Sequence, residues 1–257
     1  MGSVMNLVGL YTFIRQEIQR FMRVGNQTLF APWVTALLYI FIFGEIVGRR
    51  IGQISGVNYI DFVIPGLLMM NVMQAAFMQT SSSLYFQRFA RHVEEILTAP
   101  LSYLEIIFGF VAAGILRALV VGSGVYVIAL LFTITSVAHF GLFLFYAISV
   151  SLVFSLAGLL VGLWAEDFER LSIPQAYIIM PLTFLGGLFN SIHMLPEKFQ
   201  IFMRLNPFFY FVDGLRYSMI GISESNRAVG VLLILALILV LGFWVWHLFR
   251  VGYKIRV

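Results

Sequence analysis

The chain has 257 residues, of which 61% are hydrophobic and 11% charged, with a net charge of +4. Soluble domains carry about 25% charged residues, so a mean hydropathy of +0.95 identifies lipid as the surrounding solvent. Six spans of about 20 residues leave no length for a separate catalytic domain, and the absence of cysteine excludes disulfide frameworks and thiolate metal sites.

The expected architecture is one all-α integral membrane domain over residues 1–257. In residues 5–25, Leu7, Tyr11, Ile14, Ile18 and Phe21 recur every three or four positions, with Arg15, Gln16, Gln19, Arg20 and Arg23 between them. That spacing predicts an amphipathic helix lying in the membrane interface. Six transmembrane helices are predicted at 29–48, 59–83, 106–134, 140–164, 172–190 and 229–250. The first has Pro32 in its opening turn, where proline is tolerated, and closes on Arg49 and Arg50. The second holds Pro65-Gly66, and the fifth holds Pro174, Pro181, Gly186 and Gly187.

Two connections are unusual. Across residues 85–99, Tyr85, Phe89, Val93 and Ile96 form one apolar stripe, Arg88, Arg91, Glu94 and Glu95 fall on other faces, and Pro100 stops the helix. Such a helix either docks in a groove of a partner protein or lies in the headgroups, and spacing alone favours neither. Residues 193–220 are too apolar for a free loop and too interrupted for a span. Pro196, Asn206-Pro207 and Gly214 divide them into two short helices, which predicts a re-entrant hairpin covered by protein or a water-filled cavity. Within it, Asp213 and Arg216 are expected to pair at i,i+3 spacing.

Six spans place both termini on one side. Nine Lys and Arg residues fall on that side and six opposite, a modest bias that puts the termini in the cytoplasm. No glycine-rich phosphate loop precedes either lysine, Lys198 or Lys254, so this chain is not expected to hydrolyse ATP. His92, His139, His193 and His247 are scattered without metal-ligand spacing. No nucleophile–base grouping appears, and the charge pattern does not suggest a nucleic-acid surface. No catalytic residue, cofactor or metal is expected here. Arg117 is the clearest ionisable residue inside a span, where a charge costs several kcal/mol. It either faces a cavity or interface, or snorkels to the headgroups.

Several motifs now combine. The run His92-Val93-Glu94-Glu95-Ile96-Leu97-Thr98-Ala99-Pro100 resembles the coupling-helix motif of ABC-2-type transporter permeases. Pro65-Gly66-Leu67 and Phe154-Ser155-Leu156-Ala157-Gly158-Leu159 are similar to that family's second- and fourth-span motifs. Pro181-Leu182-Thr183-Phe184-Leu185-Gly186-Gly187-Leu188-Phe189, Leu195-Pro196, Asn206-Pro207 and Gly214-Leu215-Arg216-Tyr217 follow in the family's order. The resemblance covers nearly the whole chain and is closest to bacterial exporters of the drug and nodulation-factor kind.

The resemblance implies the permease subunit of an ATP-driven exporter in the bacterial inner membrane, moving an amphipathic, lipid-like, drug-like or glycan cargo outward. It implies a permease pair, this chain with a second copy or with a related permease, docked on two ATP-binding subunits, which would carry the ATP and Mg. On that basis Arg88, Phe89, Arg91, Val93, Glu94, Glu95 and Ile96 are candidates for ATPase coupling. Arg117, Pro181, Gly186 and Gly187 are candidates for the pathway or interface, and Asn206, Pro207, Asp213 and Arg216 for shaping the hairpin. The alternative is a non-transporting membrane scaffold on the same fold.

Overall fold

The computed structural model describes residues 6–90, 101–133 and 137–254. Apart from a two-stranded ribbon, Gln53–Ile54 against Val57–Asn58, the regular structure is helical. In chain order, α1 is Leu7–Arg23, α2 Asn26–Ile51, α3 Tyr59–Phe89, α4 Tyr103–Ala129 and α5 Phe140–Trp164. Helix α6 covers residues 168–185, α7 is Glu197–Leu205, α8 Pro207–Ile220 and α9 Arg227–Val251. Five of these, α2, α3, α4, α5 and α9, are long and apolar enough to cross a membrane. The fifth predicted span, 172–190, is helical only to Leu185, and it belongs to α6, which is more polar than the other five because Glu169, Arg170 and Gln175 lie within it.

Helix α3 is the centre of the bundle, packed against α4 and α5. Small residues let the backbones approach, as in many membrane helix pairs. A Cβ on Gly158 of α5 would stand 2.1 Å from Thr80 Oγ1 and 2.5 Å from the Phe77 carbonyl oxygen of α3. Thr80 Oγ1 uses that closeness to donate to the Ser155 carbonyl at 2.8 Å.

Specific bonds sort the chain's turns onto two ends of the bundle. At one end, the Asn6 amide donates to Glu105 at the start of α4, and Arg88 bonds carbonyls at the end of α5 and of Lys254 beyond α9. Both described termini therefore lie at this end. At the other, Thr133 donates to Asp61, the His139 amide to Ser218, and the Tyr59 hydroxyl to the Phe189 carbonyl. Helix α6 runs from the first end to the second.

Helix α1 packs on the bundle through a stripe other than the Leu7, Tyr11, Ile14, Ile18 and Phe21 series, sharing only Phe21 with it. Leu10, Phe13, Glu17 and Phe21 are buried, whereas Leu7 and Tyr11 are exposed. Phe13 packs over Gly109 and meets the Phe110 ring edge-on at 4.9 Å. The helix has two apolar stripes, and the one that contacts α4 includes a carboxylate. The predicted coupling helix is also displaced at its start, because Tyr85, Arg88 and Phe89 belong to the last turns of α3.

Candidate functional site

Arg117 lies about 20 Å along α4 from its first residue, and it is only 9% exposed. Its Nη1 donates to Gln79 Oε1 at 3.2 Å. Gln79 Nε2 in turn donates weakly to Glu17 Oε2, at 3.4 Å. The Glu17 carboxylate also accepts from Ser83 Oγ at 2.5 Å and Gln87 Nε2 at 2.6 Å, with Arg20 at 3.6 Å. A buried carboxylate is costly without such donors, so α1 is held to α3 by polar bonds as well as by packing.

Beside this network is a cavity of about 250 Å³. Gln27, Pro32, Thr35 and Tyr39 line it from α2, Asn71, Gln74 and Met78 from α3, and Gln175 and Met180 from α6, with Arg117 on α4. The two outer walls share a local feature. In α2 a wide π-type turn at Asn26–Phe30 runs into Pro32, and in α6 one at Gln175–Ile179 runs into Pro181. Proline lacks the N–H and crowds the preceding turn, and such wide turns recur at functional sites.

At the terminal end of the bundle, Arg88 is committed within the chain. Its Nη1 donates to the carbonyls of Gly162 at 2.6 Å, Leu163 at 2.9 Å and Ala165 at 3.2 Å, and its Nε to Lys254 at 2.9 Å. These are terminal carbonyls of α5, which the helix itself leaves without donors. Phe89 is exposed and stacks at 6.1 Å on Tyr85, while Phe86 lies 5.6 Å from Phe168. Arg91, Val93, Glu94, Glu95 and Ile96 lie outside the described residues.

The hairpin residues gather at the other end. Asp213 and Arg216 are fully buried with Nη1 3.9 Å from Oδ1. Asp213 accepts from the Glu224 and Ser225 amides and both serine hydroxyls, Ser223 and Ser225. Arg216 lies 3.8 Å over the Phe62 ring and donates to the carbonyls of Phe62 and Gly187. Asn206 caps α8 through the Phe208 amide, Pro207 occupies its first turn, and Asn206 Nδ2 reaches the Leu182 carbonyl at 2.6 Å. Gly187 adopts φ +80°, which suits glycine. Pro181 is next to the Arg117 cavity, whereas Gly186 and Gly187 belong to this hairpin cluster.

Glu17, Gln74, Gln79, Ser83 and Gln87 were not singled out by sequence reasoning. The available signal was polar spacing within an otherwise apolar span: Gln79, Ser83 and Gln87 recur every four residues on one face of α3.

Long apolar helices with a cavity between them that Arg117 reaches define an integral membrane protein. The chain belongs to the ABC-2 type transporter family, whose model matches residues 9–220. It is 36% identical over 249 residues to the inner membrane transport permease YadH of Escherichia coli K12, covering 97% of each chain. It is 26% identical over 212 residues to Nodulation protein J of Rhizobium meliloti, covering 80% of this chain and 79% of that one. Nodulation protein J of Rhizobium leguminosarum bv. trifolii is 28% identical over 225 residues, covering 86% and 83%. The chain is thus a transmembrane permease subunit and not itself a catalytic enzyme. Permeases of this family work with an ATP-binding subunit.

Proposed function

We propose that this chain is the permease of an ATP-driven exporter in the bacterial inner membrane, with the termini and the α3–α4 connection in the cytoplasm. Helix α6 acts as a sixth crossing, α7 and α8 as a re-entrant hairpin on the outer side, and α1 as an interfacial helix. Two copies assemble as a homodimer on two ATP-binding subunits, which hold ATP and Mg. The cargo is amphipathic: lipid-like, drug-like or glycan-bearing.

The observation that carries this reading is the Arg117 cavity in a permease-family chain. It lies between a densely packed wall, α3 and α4, and two sparsely covered helices, α2 and α6. Exposed side chains Val34, Leu38, Tyr177 and Ile178 leave α2 and α6 available to a second copy. A path between protomers would then have a polar wall and movable sides. At the cytoplasmic end, the exposed aromatics Phe86, Phe89 and Phe168 offer an apolar surface for the ATP-binding subunit. Arg91, Val93, Glu94, Glu95 and Ile96 complete the coupling element in this reading, and Arg88 acts through its grip on the end of α5.

The test is co-purification of tagged permease with its ATP-binding subunit, followed by ATP-dependent efflux of labelled lipid or dye from vesicles. Permease alone should show no ATPase activity, and the pair should hydrolyse ATP and transport. A stable pair that hydrolyses ATP without moving any cargo would favour a scaffold. Robust hydrolysis by the permease alone would refute the division of labour.

A further inference from the structure

The reading of the Arg117 cavity as part of a transport path leaves its chemistry undefined, and two unpartnered donors narrow it. Arg117 Nε and Gln74 Nε2 are both buried, and neither has a hydrogen-bond acceptor among the described residues. Both side chains line the same cavity. A buried donor left unpaired costs about 1–3 kcal/mol, and more when it is charged. Arg117 forms no salt bridge among the described residues, since Gln79 stands between it and Glu17. No Asp or Glu lines the cavity. The site therefore has a surplus of donors and of positive charge.

We propose that this cavity binds an oxyanion on an amphipathic molecule, namely the phosphate-bearing headgroup of an anionic lipid or lipid-linked cargo, through the Arg117 guanidinium and the Gln74 amide. The proposal rests on the path reading above and specifies the ligand. Size supports a headgroup: at about 250 Å³ the cavity is smaller than the roughly 300–1,000 Å³ that accommodates a drug-sized ligand. Charge supports a net anion, because no carboxylate lines the cavity to receive a choline-type cation. A guanidinium matches phosphate geometry through paired N–H donors. Asn71 Nδ2 is already committed to the Leu67 carbonyl at 2.8 Å, so of the two α3 amides on the cavity Gln74 is the one that remains for the ligand.

The test uses the full permease purified in detergent without any ATP-binding subunit, so its outcome is independent of coupling or transport. Dihexanoyl phosphatidylglycerol, dihexanoyl phosphatidylcholine and inorganic phosphate are titrated, with binding measured by thermophoresis. Phosphatidylglycerol should bind at least tenfold more tightly than phosphatidylcholine. Arg117→Gln should erase that preference, and Gln74→Leu should weaken phosphatidylglycerol about threefold. If Arg117→Gln does not purify as a folded protein, Arg117→Lys replaces it, with a loss of several-fold expected from the missing planar fork. Inorganic phosphate binding as tightly as phosphatidylglycerol, and lost in Arg117→Gln, would support the oxyanion site and assign it to a free anion. A wild type that neither prefers phosphatidylglycerol nor binds phosphate would overturn the proposal and leave the cavity to water. So would a preference that survives both Arg117→Gln and Gln74→Leu. Either negative result leaves the exporter reading standing, because that reading is tested by co-purification and efflux.

Discussion

In α3, 83% of the most apolar stretch is buried inside the chain, whereas in α2 the share is 11% and in α9 it is 17%. All three are long and apolar, so hydropathy alone does not separate them. The difference lies in side-chain size and polarity. Helix α3 meets α5 at Gly158 and Gly162, where backbones approach closely and Thr80 bonds across, and on its α1 side it turns Gln79 and Ser83 to the Glu17 carboxylate. Helix α2 presents Val34, Leu37, Leu38, Phe41 and Ile42 outward, where lipid is as good a neighbour as protein. One region is a fixed scaffold held by small residues and polar bonds. The other is a set of walls attached at a few points, such as the Trp33 indole N–H on the Val121 carbonyl at 3.1 Å. The cavity with Arg117 lies at the seam between them.

The largest expected effect breaks the scaffold. Gly158→Leu would drive a side chain into Thr80 and the α3 backbone, where ångström-scale clashes already begin at Cβ. Overpacking of this kind costs about 1–3 kcal/mol and occasionally more, and because the obstacle is backbone we expect about 3 kcal/mol. Thermal unfolding in detergent should show a large loss of Tm or no folded protein. Gly141→Ala, with nothing within 4 Å of its added Cβ, should be close to wild type. Equal behaviour of the two would remove the contrast between packed and open faces.

Next in size is the polar attachment of α1. Glu17→Leu would leave Ser83, Gln79 and Gln87 donors without their acceptor in the interior. The expected cost is about 2–3 kcal/mol, localised as a loosened α1 that a protease cuts within residues 7–23. Glu17→Gln keeps an acceptor oxygen and should retain more than half of the protection. If Glu17→Leu is as protease-resistant as wild type, apolar packing of Phe13 and Phe21 alone holds the helix.

A smaller effect is expected at Arg88. Arg88→Ala removes the donor shared by three carbonyls at the end of α5 and by Lys254. Water can satisfy part of that loss at this end of the bundle, so about 1–2 kcal/mol is expected. Arg88→Lys should recover part of the charge interaction with the helix terminus but not the forked geometry. The comparison of Tm for both variants checks whether Arg88 stabilises the scaffold. If Arg88→Ala leaves Tm unchanged while abolishing co-purification of the ATP-binding subunit, its main role is at the interface.

Much of the bundle was legible because hydrophobic period and length carry it. Phe140–Trp164 coincides with its predicted span, and Asn206-Pro207 marks the start of α8 as a capping side chain followed by a proline should. Arg117 stood out because a charge within an apolar run needs a reason. Its surroundings were not legible. Whether Arg117 meets a cavity depends on the rotation of α2 and α6 about their axes, which two prolines and their wide turns alter. Glu17 was obscured by its neighbours, since Arg15, Arg20 and Arg23 made that segment look solvated, although the carboxylate faces α3. Arg88 read as part of a separate helix over 85–99, when α3 continues to Phe89 and carries it.

The smallest expected effect concerns the loop after α5, outside the spans. Lys254 Nζ donates to Glu166 Oε1 at 2.9 Å, and Arg170 Nη1 meets Oε2 at 2.7 Å. The Lys254 hydrogen bond and charge, followed by Arg170, hold the Glu166 carboxyl below its ordinary value. A carboxylate with a depressed folded pKa stabilises fully above its unfolded value of about 4.3, and the contribution disappears as pH falls through the lower folded value. The pair is exposed, so solvent and salt screen it strongly. Wild type should therefore lose slightly more Tm than Glu166→Gln between pH 6 and about pH 3, with the gap shrinking at high salt. Other carboxylates shift both curves together, which is why the difference between variants is the quantity to measure. A Glu166→Gln curve parallel to wild type across that range would show that the C-terminal turn is held by Arg88 and by the Lys254 bond to the Trp164 carbonyl, without help from Glu166.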